Sequence, residues 1–291
     1  MKLLTGESGG TPVAGILDGD NLVVCAEGAA AQNAVLAVIE GGPAALADWA
    51  EKSNGDARRI PLVQVTVMAP IPRPTRDIFC VGKNYVAHAL EVKNSGMSGG
   101  VDEVPTEPII FTKATTAVCG PGDVVNGSLD PTETVDYEGE LGVIIGKRAF
   151  QVSKGAAFDY VFGYVIINDV TSRALQKRHK QWVIGKGLDT FCPMGPYIAT
   201  ADEIADVTAL TVHTEINGEV RQDGSTGDMI FDIPTLIETL TQTMTLIPGD
   251  IIATGTPAGV GIGFQPPKFL KKGDKMAISI TGLGTLENTI G

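Results

Sequence analysis

The sequence predicts an α+β, strand-rich fold in two unequal parts, a small N-terminal α/β domain over residues 1–70 and a larger domain over 71–291. Three observations carry this. The 36 glycines and 17 prolines, set among many short Val-, Ile- and Thr-rich runs, describe strands joined by frequent turns. Segments with helical periodicity are few. The stretch Ala69-Pro70-Ile71-Pro72-Arg73-Pro74 is held stiff and extended, because proline fixes its own φ and biases the residue before it away from helix.

In the first part, Lys2–Leu4, Val13–Leu17 and Leu22–Cys25 read as strands, with Asp18-Gly19-Asp20-Asn21 as the hairpin turn between the last two. Ala34–Glu40 and Ala44–Glu51 read as two helices, the second starting just after Pro43. In the second part, Ile78–Val81, Ile109–Phe111, Leu141–Ile145, Tyr160–Ile167, Leu210–Ile216, Ile251–Thr254 and Lys275–Ile280 read as strands. Helices are expected at Tyr85–Val92, Val170–Arg178 and Ile233–Met244, the last with Asp232 as N-cap and Pro234 in its first turn. The glycine-rich, polar segment from Asn94 to Glu107 suits a mobile loop near a site.

A hydrophobic fraction of 43% with 19% charged residues is a globular composition. The formal charge of −12 argues against nucleic acid, which needs clustered cations; the run Lys177-Arg178-His179-Lys180 is too short to offset the acidic remainder. It does not exclude an anionic substrate, because a cation and a few basic side chains can invert the potential inside one cleft. The four cysteines are widely spaced and read as reduced, mostly buried thiols. The start MKLLTGESGG has no apolar signal-peptide core, and no apolar run approaches the ~20 residues needed to cross a bilayer, so a soluble cytoplasmic protein without membrane partners is expected.

The most informative stretch is Val135-Asp136-Tyr137-Glu138-Gly139-Glu140-Leu141. In a strand, residues two apart face one side, so Glu138 and Glu140 project together, with Asp136 a possible third. Asp169 ends another apolar run, just before the helix expected from Val170. Buried together, such carboxylates repel unless a cation compensates. Oxygen ligands without histidine or thiolate favour Mg²⁺ or Mn²⁺ over Zn²⁺. Solvated edge-strand carboxylates, with Asp169 only a helix cap, remain the alternative. His88 and Glu91 stand at i and i+3 of a helix, where the carboxylate can orient the imidazole as a general base; a surface histidine beside a helix-stabilising glutamate has the same pattern. Arg173 and Gln176 follow Asp169 at i+4 and i+7, on one face of that helix. Lys186, between glycines, is either solvated or aimed into a cleft. The glycine-rich turn after Ile251–Thr254 can offer backbone N–H groups and the Thr256 hydroxyl to an anionic oxygen. His179 and His213 read as structural.

Together, GKNYVAHALE, DYEGELGVIIGK, NDVTSRALQ, QWVIGKGLDTFCPMGP, NGEVRQ and PGDIIATGTPAGVG, in this order between Ile78 and Thr285, resemble the fumarylacetoacetate hydrolase family. The resemblance implies a mixed β-roll catalytic domain behind a small N-terminal domain, assembled as a homodimer. It further implies Glu138, Glu140 and Asp169 as ligands of Mg²⁺ or Mn²⁺, and His88 with Glu91 as the water-activating dyad on a lid-like helix. Lys186 would stabilise the oxyanion; Lys113, Arg173, Gln176 and Thr256 would hold substrate. The chemistry implied is that of small 2-oxo acids passing through a pyruvate-type enolate. The leading expectation is hydrolysis of an acylpyruvate-like β-diketo acid. Oxaloacetate decarboxylation comes next, then isomerisation of 2-hydroxyhepta-2,4-diene-1,7-dioate-type acids of aromatic catabolism. A non-catalytic binding protein would have no need of His88.

Overall fold

The computed structural model describes residues 1–96 and 104–291. Half of the segment Asn94–Glu107, read as a mobile loop, therefore lies outside the described residues.

The N-terminal strands form as the alternation requires. Lys2–Ser8, Thr11–Asp18 and Asn21–Glu27 are a meander, and Leu17↔Leu22 and Asp18↔Asn21 close the Asp-Gly turn. The two helices expected over 34–51 form within α1 (Ala34–Asn54), separated by a kink where Gly42 leaves helical geometry at φ 65° and Pro43 follows. Gly42 supplies a left-handed residue at no steric cost, so the chain turns there without leaving the sheet face that Val35, Ile39 and Trp49 cover.

These strands extend the large sheet. Lys2 and Leu3 pair with Ala199 and Ile198, and the twelve strands run in the order 59–61, 21–27, 11–18, 2–8, 192–200, 161–168, 139–145, 251–253, 78–82, 109–113, with 66–67 on 2–8 and 118–119 on 192–200. We propose the division after residue 70 as a boundary between structural units joined along one sheet. Facing the large sheet is a five-stranded one, ordered 219–225, 211–216, 275–280, 284–290, 124–125. Leu141, Val143, Ile145, Tyr164 and Ile166 pack there with Val212, Ile278 and Ile280. The other face of the large sheet, with Ile144, Val165 and Ile167, packs under α1.

The remaining helices are α2 (Val86–Asn94), α3 (Arg173–His179), α4 (Val183–Lys186) and α5 (Ile233–Thr241). Asp232 caps α5 as expected, its carboxylate accepting from Thr235 N at 2.9 Å. The helix expected from Val170 starts three residues later. Thr171 and Ser172 are extended and pair with Asp136 and Val135, and Ser172 is the N-cap of α3. Asp169 thus belongs to the strand end and not to a helix face. No described helix is long and apolar enough to cross a membrane, and the four cysteines are free thiols.

Candidate active site

The carboxylates meet because of strand register. The antiparallel pairs Glu140↔Ile167 and Gly139↔Asn168 place Glu138 opposite Asp169, and Asp169 N donates to the Glu138 carbonyl at 2.9 Å. Period-two alternation puts all three side chains on one face. Glu138, Glu140 and Asp169 are buried, with one oxygen of each within 4.8 Å of the others. Asn168 and Gln222 pin the strand start by accepting from Glu138 N and Gly139 N, both at 3.0 Å.

Three cations pair with Glu138 and Asp169. Lys186 Nζ bridges Glu138 Oε2 and Asp169 Oδ2, each at 2.7 Å. Lys113 Nζ reaches Asp169 Oδ1 at 2.6 Å, with the Val170 and Lys186 carbonyls as its other acceptors. Arg173 spans two acids, Nη1 to Glu138 Oε1 at 2.6 Å and Nε to Asp136 Oδ2 at 2.8 Å. The glutamates are driven apart in acidity. Burial raises the Glu138 carboxyl, but the charges of Lys186 and Arg173 outweigh it and hold Glu138 well below the usual carboxylate range. Glu140 is raised well above that range by burial, then by the like charges of Asp169 and Glu138. It accepts from Gly255 N at 2.9 Å. Gly255 has φ +98°, and a Cβ there would stand 2.7 Å from Asn84 Cβ, so only glycine lets that N–H approach. The donor set is all carboxylate and short of positive charge at Glu140, which fits a hard divalent cation.

His88 faces the same cavity. Its Nδ1 lies 2.9 Å from Glu91 Oε1, and Glu91 is fixed in turn by Gly259 N at 2.9 Å. A carboxylate partner places the proton on Nδ1 and leaves Nε2 as the basic nitrogen. The turn before α2 is locked by the buried Asn84, which donates to the Phe231 and Thr254 carbonyls and accepts from Phe231 N.

The cavity between these groups is small, about 20 Å³. Of the residues singled out from sequence, His88, Glu138, Glu140, Arg173, Gln176, Lys186 and Thr256 line it. Glu91 stands behind His88, and Asp169 and Lys113 stand behind the carboxylate floor. Lys113 is spent on Asp169 and on carbonyl oxygens, so the structure does not bring it to the cavity as a substrate-binding residue. Thr256 Oγ1 donates to the Gly139 carbonyl at 2.9 Å, and the anionic oxygen served by this glycine-rich turn is Glu140's own. Asp136 turns away from the cluster. Its oxygens accept from Arg173 Nε and from the backbone of Tyr137, Gly261 and Ile262. His213, read as structural, lies 3.2 Å from Glu215 and 3.5 Å from Asp223 on the sheet surface.

Sequence reasoning gave no role to Asn84, Asn168 or Gln222, which hold the site's backbone. All three stand within the quoted motifs GKNYVAHALE, NDVTSRALQ and NGEVRQ, and Asn168 carries the clearest signal, a polar residue directly after the apolar run Tyr164–Ile167.

Residues 77–291 match the family model for the fumarylacetoacetate (FAA) hydrolase C-terminal domain. The oxaloacetate tautomerase YisK of Bacillus subtilis is 52% identical over 248 residues, covering 84% of this chain and 80% of that protein. Among solved structures, a fumarylacetoacetate hydrolase from the psychrophilic Exiguobacterium antarcticum superposes with a TM-score of 0.83 at 39% identity, over 100% of this chain and 99% of its own. Maleylpyruvate hydrolase from Sphingobium sp. SYK-6, in complex with manganese(II) and pyruvate, gives 0.79 at 31% identity, over 100% and 98%.

Proposed function

The chain belongs to the fumarylacetoacetate hydrolase family of enzymes, and from that premise we propose that it is a divalent-cation-dependent enzyme that enolises a small 2-oxo acid of the oxaloacetate type. One observation carries the reading: His88, with Glu91 behind it, lines the same cavity as Glu138 and Glu140. A base and an electrophilic pole converging on one small volume is what proton transfer beside a carbonyl needs. The 52% identity to an oxaloacetate tautomerase supports the choice of substrate.

Glu138, Glu140 and Asp169 would hold Mg²⁺ or Mn²⁺; the manganese and pyruvate in the maleylpyruvate hydrolase complex support that assignment. When bound, the cation supplies Lewis-acid stabilisation of charge on the 2-oxo oxygen, worth several kcal/mol. The chain's own groups do the rest. Arg173 Nη2 is buried with no hydrogen-bond partner among the described residues, and it would bind the substrate carboxylate with Gln176 beside it. His88 Nε2 takes a proton from C3, and Glu91 stabilises the imidazolium that forms. Lys186 faces the oxygen on which charge accumulates. Return of the proton to that oxygen gives the enol with no change in composition.

A second reading is favoured by the same dyad. If His88 deprotonates a water, the site hydrolyses a short acylpyruvate, and the pyruvate enolate is the leaving group. Proton exchange at C3 of oxaloacetate in D₂O, followed by NMR with Mn²⁺ or Mg²⁺, tests the first. Acceleration that chelator abolishes is expected; no acceleration over the enzyme-free rate would refute it. Release of pyruvate from acetylpyruvate tests the second.

A further inference from the structure

The cavity has two unlike walls. One carries Glu138, Glu140, Arg173, Gln176 and Lys186; the other carries Val81, Phe111 and Trp182, with Lys83 at its edge. We propose that Trp182, backed by Phe111, limits the length of the group that a 2-oxo acid can carry beyond C3, and so confines the enzyme to substrates with short substituents. This rests on the 2-oxo acid reading above.

Trp182 is the N-cap of α4, and Lys186 closes the same helix four residues on. Positions i and i+4 share a helical face, so the aromatic wall and the ammonium are offered to the cavity together. The Lys186 ammonium also lies 5.2 Å from the Phe111 ring centroid. The indole is fixed on two sides. Phe111 meets it edge-on, centroids 5.2 Å apart at 65°, and Phe111 belongs to a strand of the large sheet. Gly82 gives way beneath it: a Cβ there would stand 2.3 Å from Trp182 Cζ3 and 2.8 Å from Cη2.

The opposite side is built differently. α2 presents Val86 and Leu90 about half exposed, and among the described residues a small apolar cluster of Val92, Val260 and Ile262 with Phe269 lies beneath it. A cavity of about 20 Å³ holds roughly one water. A substrate therefore needs one wall to give, and the half-exposed α2 is the side that can, while Trp182 stays against Phe111. A pocket with one yielding and one fixed wall discriminates by length along the direction of the fixed wall. Each methylene that does not fit costs about tenfold or more in kcat/KM.

The test is a series of 2-oxo acids lengthened by one methylene at a time, from 2-oxobutanoate to 2-oxohexanoate, with C3 proton exchange as readout and Mn²⁺ saturating. The quantity compared is the ratio of kcat/KM for long and short members, which overall activity does not change. In the wild type this ratio should fall by about tenfold per methylene. In Trp182→Phe it should recover in part, and in Trp182→Ala by at least tenfold. Trp182→Phe serves if Trp182→Ala does not fold. A flat wild-type profile, or the same profile in wild type and Trp182→Phe, overturns the inference. Absence of exchange for every acid, oxaloacetate included, would overturn instead the enolisation reading on which it stands.

Discussion

Replacing Asp136 by asparagine keeps shape and removes a charge, and its cost can be worked from four hydrogen bonds. Asp136 Oδ1 accepts from Tyr137 N at 2.9 Å and Gly261 N at 2.6 Å, while Oδ2 accepts from Arg173 Nε at 2.8 Å and Ile262 N at 3.0 Å. An amide must place its NH₂ at one of these two positions, and either way that group faces two donors. Two bonds to a charged acceptor are lost, each worth about 1.5–3 kcal/mol, and the Arg173 guanidinium loses one of its two acidic partners in the interior. Breaking a buried pair by removing one member costs about 3–5 kcal/mol, and the two routes agree. For a chain of this size the loss corresponds to a fall in Tm of roughly 10 °C. Urea and thermal unfolding of wild type and Asp136→Asn measure it. Equal midpoints would refute the view that Asp136 is the acceptor on which Arg173 and the 259–262 loop are built.

The dyad should be separable into base and orienter. His88→Ala should lower kcat by about 10²–10⁴-fold, and Glu91→Gln by less, with Mn²⁺ affinity unchanged in both; an unaltered kcat in His88→Ala would remove the base from the mechanism. A structural carboxylate gives a pH signature. Burial works to raise Asp130, but hydrogen bonds from Thr132 and Thr134 outweigh it and hold its carboxyl below the ordinary 3.8. Its stabilisation is then complete above the unfolded value and is lost as pH falls through the folded one. Asp130→Asn should cost about 1 kcal/mol at neutral pH. The difference in Tm from wild type should shrink as pH falls below 3.8, and a difference that grows there would contradict the assignment.

Much of the fold was legible because Leu141–Ile145 is apolar on both faces and Lys275–Ile280 alternates, and both strands stand where those patterns put them. Cys192–Thr200, a central strand of the large sheet, is not among the expected strands; Pro193 and Pro196 interrupt it, and proline is rare in central strands. The sheet accommodates Pro196 where its pairing with 161–168 slips register, a place no local pattern reveals. At the site, Glu138 and Glu140 were readable from alternation alone. That Asp169 joins them depends on Gly139↔Asn168 pairing, a long-range register that sequence spacing does not contain. Lys113 had the right chemistry, but its place beneath Asp169 is set by the edge strand Ile109–Lys113, which is not adjacent in the sheet to the strand Val161–Asn168 that Asp169 follows. The final bond broken was not legible, because one enolate serves hydrolysis, decarboxylation and tautomerisation alike.

Binding of Mn²⁺ to metal-free protein, followed by electron paramagnetic resonance of the free ion at pH 7.5, tests most directly whether Glu138, Glu140 and Asp169 form a cation site. One ion per chain is expected for the wild type, with a rise in Tm that saturates with it. Glu140→Gln should weaken binding by at least ~100-fold, more than loss of an outer-sphere partner does. Failure of the wild type to bind Mn²⁺, or equal affinity in Glu140→Gln, would contradict it.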